Sequence, residues 1–199
     1  MPRTKEANEF IKQQRKAYIL DVALKLFCLE GYDNVTMDNI AKTAKVSHGL
    51  IYHYFKDKTQ ILEELIELGK NKIDEAFINK PIEKKEGKGF YEDFTEFTLE
   101  CLKKGEKYAY YLYLFLNFKI NVIDYQKYSY LQFYQKFEEE FKKAQLNNDF
   151  EEGEVKDYLT CYFSLITSLV HSRLVHKNEF ILPKKEIIMN LFYKKEVKN

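Results

Sequence analysis

The chain has no tryptophan and, in 199 residues, only 7 glycines, 3 prolines and 3 cysteines. So little glycine and proline leaves few sites for the tight turns of a many-stranded sheet, and helices are the expected elements. The cysteines, Cys28, Cys101 and Cys161, are odd in number and lack CxxC spacing, which argues against a disulfide framework. Each falls in an apolar helical stretch, so buried, reduced thiols are expected. Long apolar runs are missing too. The longest stretch without charge, Tyr158 to Ser172, is 15 residues and contains Ser and Thr. A membrane-spanning helix needs about 20 mostly apolar residues. Met1 to Lys16 is charged throughout, so no secretory leader is expected, and a cytoplasmic protein is. There is no Gly-rich phosphate loop, no GxSxG and no HExxH. His171 and His176 stand five apart, whereas metal pairs on a helix prefer three or four. Catalysis, metal and cofactor are therefore not expected.

Charge of one sign is also lacking overall: 32 Lys and Arg face 31 Asp and Glu, for a net +1. Its distribution is uneven. Residues 1 to 60 hold ten basic and seven acidic residues, a net +3, and the rest hold 22 and 24, a net −2. Basic charge thus gathers in the N-terminal third. What the chain has in quantity is rings, 16 Tyr and 16 Phe, densest between Tyr108 and Phe141.

The most informative stretch is residues 36 to 58, TMDNIAKTAKVSHGLIYHYFKDK. Thr36 is placed to cap a short helix, and Asp38 in its first turn suits the helix dipole. Ile40, Ala41 and Ala44 give that helix an apolar face. Lys45 and Val46 make a turn. Ser47 caps a second helix, whose Ile51 and Phe55 point inward. This is a helix-turn-helix, whose second helix can enter a DNA major groove. The outward side of that helix carries His48, Gly49, Leu50, Tyr52, His53 and Tyr54. A solvated helix face normally carries Glu and Lys; this one has no acid from Ser47 to Lys56.

The run from Ala44 to Lys58, with Ala23, Phe27 and Gly31 upstream and Ile61-Leu62 downstream, resembles the DNA-binding signature of TetR-type transcriptional regulators. The resemblance covers roughly residues 14 to 65. It departs at Lys45, where the family usually has Gly; a non-Gly residue at positive φ costs roughly 1 kcal/mol. The resemblance implies DNA contacts by Thr36, Ser47, His48, Gly49, Leu50, Tyr52, His53, Tyr54, Lys56 and Lys58. Ser47 would bond a phosphate as well as cap. His48, Gly49 and Leu50 would enter the groove, with Leu50 near a thymine methyl. Tyr52 and Tyr54 would meet phosphates or sugars, His53 a base or phosphate, and Lys58, with Lys56, a phosphate. Arg3, Lys5, Lys12, Arg15 and Lys16 could reach neighbouring phosphates.

Around the motif, helical spacing predicts a bracing helix over residues 8 to 30, stopped by Gly31. Asp57 and Gln60 suggest a capping box opening a linking helix to about Asn79, with Ile61, Leu62, Leu65, Ile66, Leu68 and Ile73 inward and Pro81 ending it. Pro81 to Gly89 reads as a loop. Further helices are expected over Phe90–Lys104, broken by Gly105; over Tyr108–Phe118, apolar on nearly every side; and over Tyr125–Asn147. Two more follow, Val155–His176 and one opened by Pro183 with a stripe of Ile187, Ile188, Leu191 and Phe192.

The expected architecture is all-α: an N-terminal three-helix helix-turn-helix domain (1–58) and a C-terminal helical ligand-binding and dimerisation domain (59–199) that begins with the linking helix. The ring-rich middle helices suggest either a core simply packed with rings or a cavity for a small apolar or aromatic effector, lined by Phe97, Cys101, Tyr108, Tyr111, Leu112, Phe115, Tyr130 and Tyr134. A cationic ligand would bring in Glu96 or Glu100. The resemblance implies a homodimer through the last two helices, with Phe163, Ser164, Thr167, Ser168, His171, Ile188, Leu191 and Phe192 at the interface. Such a dimer sets two recognition helices roughly 34 Å apart on a palindromic double-stranded operator. The expected function is a ligand-responsive regulator, a repressor released by its effector through the linking helix. The alternative is a helix-turn-helix regulator without a small-molecule site, controlled by a protein partner.

Overall fold

The computed structural model describes residues 5–78, 85–117 and 130–195, apart from the side chains of residues 70, 73–78, 115, 130–132 and 178. Among these residues every regular element is a helix, and the sole extended pairing is an isolated antiparallel bridge between Phe150 and Tyr193. The fold is all-α, with an N-terminal helix-turn-helix domain and a C-terminal helical domain. Two compact units divide it, Met1–Lys70 and Asn71–Asn199. The division falls inside a helix rather than after residue 58.

In the first unit, α1 (Lys5–Glu30) starts three residues before the expected position 8 and ends at Gly31, whose φ of 85° suits glycine. Its second half buries Ile19, Leu20, Ala23, Leu24, Phe27 and Cys28. α2 (Met37–Thr43) opens with a full capping box: Asn39 N donates to Thr36 Oγ1 at 3.1 Å, and Thr36 N donates to Asn39 Oδ1 at 2.9 Å. The turn closes through Val46 N donating to Ala41 O at 3.0 Å, with Lys45 at φ 53°, the left-handed conformation expected there. α3 (His48–Tyr54) is capped by Ser47 Oγ, which accepts from Leu50 N at 3.2 Å. Ile51 and Phe55 are buried beneath it. α4 (Lys58–Ile78) starts where Asp57 Oδ1 accepts from Gln60 N at 2.8 Å. The return bond of this cap, from Lys56 N to Gln60 Oε1 at 2.7 Å, lands one residue earlier than in a standard box. Ile61, Leu62 and Leu65 are buried as expected. Leu68 is exposed and Ile66 half-buried, because α4 shows only a narrow stripe to its unit. Pro81 as the stop and Ile73 as a core side chain lie outside the described residues.

In the second unit, α5 (Lys88–Lys104) begins two residues before the expected Phe90 and takes in Gly89. Ahead of it Gly87, at φ 55°, passes so near Ala144 that a Cβ would lie 3.3 Å from its backbone nitrogen. Gly105, at φ 141°, separates α5 from α6 (Glu106–Asn117), which starts two residues before the expected Tyr108. Ala109, Tyr110, Tyr111, Leu112 and Leu114 of α6 are buried. α7 is described from Tyr130 to Leu146, so the expected start at Tyr125 lies outside the described residues. α8 (Val155–His176) has the predicted bounds. A short 3-10 turn, Lys177–Glu179, follows.

The last helix differs from expectation. α9 spans only Lys185–Met189, two residues beyond Pro183, and the chain then turns. Ile188, Met189 and Phe192 are buried, whereas Ile187 and Leu191 are exposed, so the four predicted residues do not form one stripe. Rings fill the centre of the unit. Phe137 is fully buried and meets Phe90, Tyr91, Phe94, Phe133, Tyr162 and Phe163 at centroid distances from 4.7 to 6.1 Å. The buried phenols are satisfied: Tyr91 Oη donates to Phe137 O at 2.7 Å, and Tyr162 Oη lies 2.7 Å from Thr95 Oγ1. Burial pushes both phenols well above the usual tyrosine range. Cys28 and Cys101 are buried as expected. Cys161 is exposed, because it falls on the outer side of α8.

Candidate nucleic-acid interface

The α3 surface is built from the turn upward. The positive φ of Lys45 reverses the chain, Ser47 starts the helix, and Ile51 with Phe55 anchors its inner side. What remains outside is Ser47, His48, Gly49, Tyr52 and His53, all exposed, with Leu50 and Tyr54 half-buried. Ser47 uses its oxygen as the cap acceptor, which leaves the O–H able to donate outward. A Cβ on Gly49 would meet nothing within 4 Å, so the protein's own packing does not call for glycine there. The bare backbone is open to a close external approach.

Two candidates are more tied down than their sequence positions suggest. The Thr36 hydroxyl bonds Asn39 Oδ1 at 2.6 Å while accepting from Asn39 N, so capping α2 occupies it. Lys58 Nζ donates to Tyr32 O at 2.7 Å and sits 4.1 Å above the Tyr32 ring centroid. Tyr32 in turn holds the start of α4 through its hydroxyl, 3.2 Å from Thr59 Oγ1. Lys56 is exposed. Among the leading basic residues, Lys16 pairs with Glu64 at 2.7 Å, so it braces α1 against α4 rather than reaching out. Lys5, Lys12 and Arg15 are exposed, and Arg3 lies outside the described residues.

Sequence reasoning missed two participants. Tyr32, just after Gly31, fixes Lys58. Asp38 sits with Oδ1 3.3 Å from His48 Nε2, and the His48 ring lies 4.7 Å from that of Tyr52. The acid-free stretch of α3 thus has a carboxylate beside it, supplied by α2. An acid in the first turn of one helix and a histidine opening the next were the available signals.

Comparison with known proteins places this geometry. Residues 19–65 match the sequence profile of the family described as bacterial regulatory proteins, tetR family. Residues 19–65 form a TetR-family helix-turn-helix domain. The regulator AcrR of Shigella flexneri is 43% identical over 63 residues, 32% of this chain and 29% of that one. The chain covers about a third or less of the length of the curated relatives it matches. At the level of fold the likeness runs further. AibR, solved in complex with isovaleryl coenzyme A and operator DNA, superposes with a TM-score of 0.62 over 88% of this chain and 94% of its own, at 15% identity. FadR from Bacillus subtilis, solved with stearoyl-CoA, gives 0.59 over 88% and 96%, at 22% identity. The likeness at this level is one of fold, and it takes in most of the chain at low sequence identity.

In the C-terminal unit the candidate ligand residues divide. Phe97, Cys101, Tyr111 and Leu112 are buried, and Tyr108 is half-buried. Tyr134 stacks on Phe163 of α8, with ring centroids 5.8 Å apart. The side chains of Phe115 and Tyr130 are outside the described set. The candidate dimer residues divide as well. Ser164, Ser168, His171 and Leu191 are exposed and Thr167 half-buried. Ile188 and Phe192 are only 2% and 4% exposed, so the chain itself covers nearly all of their surface. Phe163 packs on α7, 4.9 Å from Phe137, and is largely taken up in the same way.

Proposed function

We propose that the protein is a ligand-responsive DNA-binding transcriptional regulator that binds a palindromic operator as a homodimer in the cytoplasm. The observation that carries this reading is the exposed, acid-free face of α3 within a TetR-type helix-turn-helix. Residues 1–58 serve as the reading head, with Ser47, His48, Gly49 and Leu50 toward the groove and Tyr52, His53, Tyr54, Lys56 and Lys58 toward the backbone. Residues 59–199 serve effector binding and dimerisation.

The dimer is supported by α8. Thr160, Cys161, Ser164, Ser168, His171 and Val175 are exposed on it, and the helix carries no charge from Tyr158 to Ser172. An uncharged exposed helix face is unusual for solvent and ordinary for a partner. Exposed Ile187 and Leu191 supply apolar area in the same unit. A small apolar or aromatic effector is supported by the ring-rich C-terminal unit and by the acyl-CoA complexes of two proteins of the same fold. The buried Thr98 Oγ1, without a hydrogen-bond partner among the described residues, is a polar point that an effector could satisfy. The regulator acts as a repressor: a dimer seated on promoter DNA blocks it, and an effector that favours a form with mis-spaced heads releases it. That release is bounded by the effector's preference between the two forms.

The test is binding to the DNA upstream of the protein's own gene, titrated against salt, for wild type and for Tyr52→Ala/Lys58→Ala. With about six phosphate contacts, affinity should fall on the order of a thousandfold between 50 and 200 mM salt. The double variant should lose binding. A folded dimer that binds no DNA at any salt would sink the reading.

A further inference from the structure

We infer that Asp38 is a positioning residue for base recognition: it holds the His48 ring so that His48 presents one fixed hydrogen-bonding character to DNA. The inference rests on the DNA-reading function proposed above and deepens it. Asp38 belongs to α2 and His48 opens α3, so the pair bridges the two arms of the helix-turn-helix. Asp38 Oδ1 lies 3.3 Å from His48 Nε2, with the side chains 75% and 67% exposed. On its other side the imidazole meets the Tyr52 ring, one helical turn on, at 4.7 Å. A side chain at the start of a recognition helix is thus held from two directions while remaining open to solvent.

The chemistry follows from what a carboxylate can do. An ionised carboxylate offers no hydrogen of its own, so at 3.3 Å it favours the ring form whose hydrogen sits on Nε2, the nitrogen nearer to it. In the neutral ring the other nitrogen, Nδ1, is then an acceptor. An acceptor suits the exocyclic amines of adenine and cytosine and not the N7, O6 or O4 acceptors of guanine and thymine. Without Asp38 the ring is free to take the other tautomer and offer a donor, and the preference dissolves. The placement of an anion has a second consequence. A carboxylate beside a DNA-facing helix repels phosphate and weakens binding to every sequence alike. Asp38 therefore trades general affinity for discrimination, which is how a repulsive group sharpens a specific site. Its side chain is 75% exposed, so its removal leaves the fold intact.

The experiment is selection of bound duplexes from a randomised library by the full-length protein, for wild type, Asp38→Ala, Asp38→Asn and His48→Ala. The wild-type motif should favour an amino-bearing base, adenine or cytosine, at one position of each half-site. Both alanine variants should flatten that same position, with discrimination falling roughly fivefold. Asp38→Asn, whose amide oxygen can still face Nε2, should keep it. Affinity of Asp38→Ala for unselected DNA should stay level or rise. An Asp38→Ala motif identical to wild type would overturn the inference, as would a loss spread evenly over all positions. Wild-type protein that enriches no sequence would overturn the DNA-reading function, and this inference with it.

Discussion

In the N-terminal unit the backbone turns around motif residues are held by side chains a few positions away: Thr36 and Asn39 at α2, Ser47 and Leu50 at α3, Asp57 and Gln60 at α4. In the C-terminal unit the buried bonds join residues far apart in sequence. Tyr91 reaches Phe137 across 46 positions and Thr95 reaches Tyr162 across 67, and the part-buried bond from Tyr193 to Glu92 spans 101. The difference bears on divergence. A cap admits only a few residue types at a fixed offset, so a head built on caps keeps its sequence. A ring cluster needs volume and complementary faces, which many residue combinations supply.

The heaviest test of that contrast is Phe137→Ala. The side chain is fully buried among six rings, and its loss should cost about 3–5 kcal/mol in chemical denaturation. Next is Glu140→Gln. Glu140 is buried and accepts from Gly87 N at 2.5 Å, Lys136 Nζ at 2.8 Å and Lys143 Nζ at 2.9 Å. Burial would raise this carboxyl, but the two ammonium groups and the amide outweigh it and hold it below its ordinary value of 4.5. A carboxyl depressed in the folded state stabilises above its unfolded value, and that contribution is lost as pH falls through the folded value. Wild type should therefore lose stability below pH 4.5, and part of that slope should vanish in Glu140→Gln. At neutral pH the variant should be weaker by about 1–3 kcal/mol. Ser47→Ala comes third, at about 1 kcal/mol, with Ser47→Gly costing only a few tenths. Were Ser47→Ala to cost more than Phe137→Ala, the contrast between the units would fail. The smallest effect is a gain. Lys45→Gly relieves the left-handed backbone at φ 53° but loosens the unfolded chain, for a net stabilisation of about a few tenths of a kcal/mol by thermal melting.

The same contrast explains what could be read from the sequence. The two capped helices, the Lys45 turn, the Gly105 break and both ends of α8 were legible, because each is written in residues close to where it acts. The early start of α1 was not, since its first turns are polar and exposed and leave no periodic mark. Nor was the shortness of α9. Its apolar residues suit a longer stripe, and the turn after Met189 instead sends Phe192 inward and Leu191 out. In the interface the outward residues of α3 were legible, while the hold of Asp38 on His48 and of Tyr32 on Lys58 was not. Those contacts cross between elements, and only the fold brings them together.

The exposure of Cys161 has a practical consequence. Cys28 is buried, with its thiol pushed up to about 12 by burial, and Cys101 is buried as well. A thiol-specific dye or spin label added to the folded protein therefore marks one residue in the first third of α8 and spares the other two. Two marked copies carry two probes at equivalent positions. The distance between them, read in solution, is a ruler for whatever brings one α8 near another.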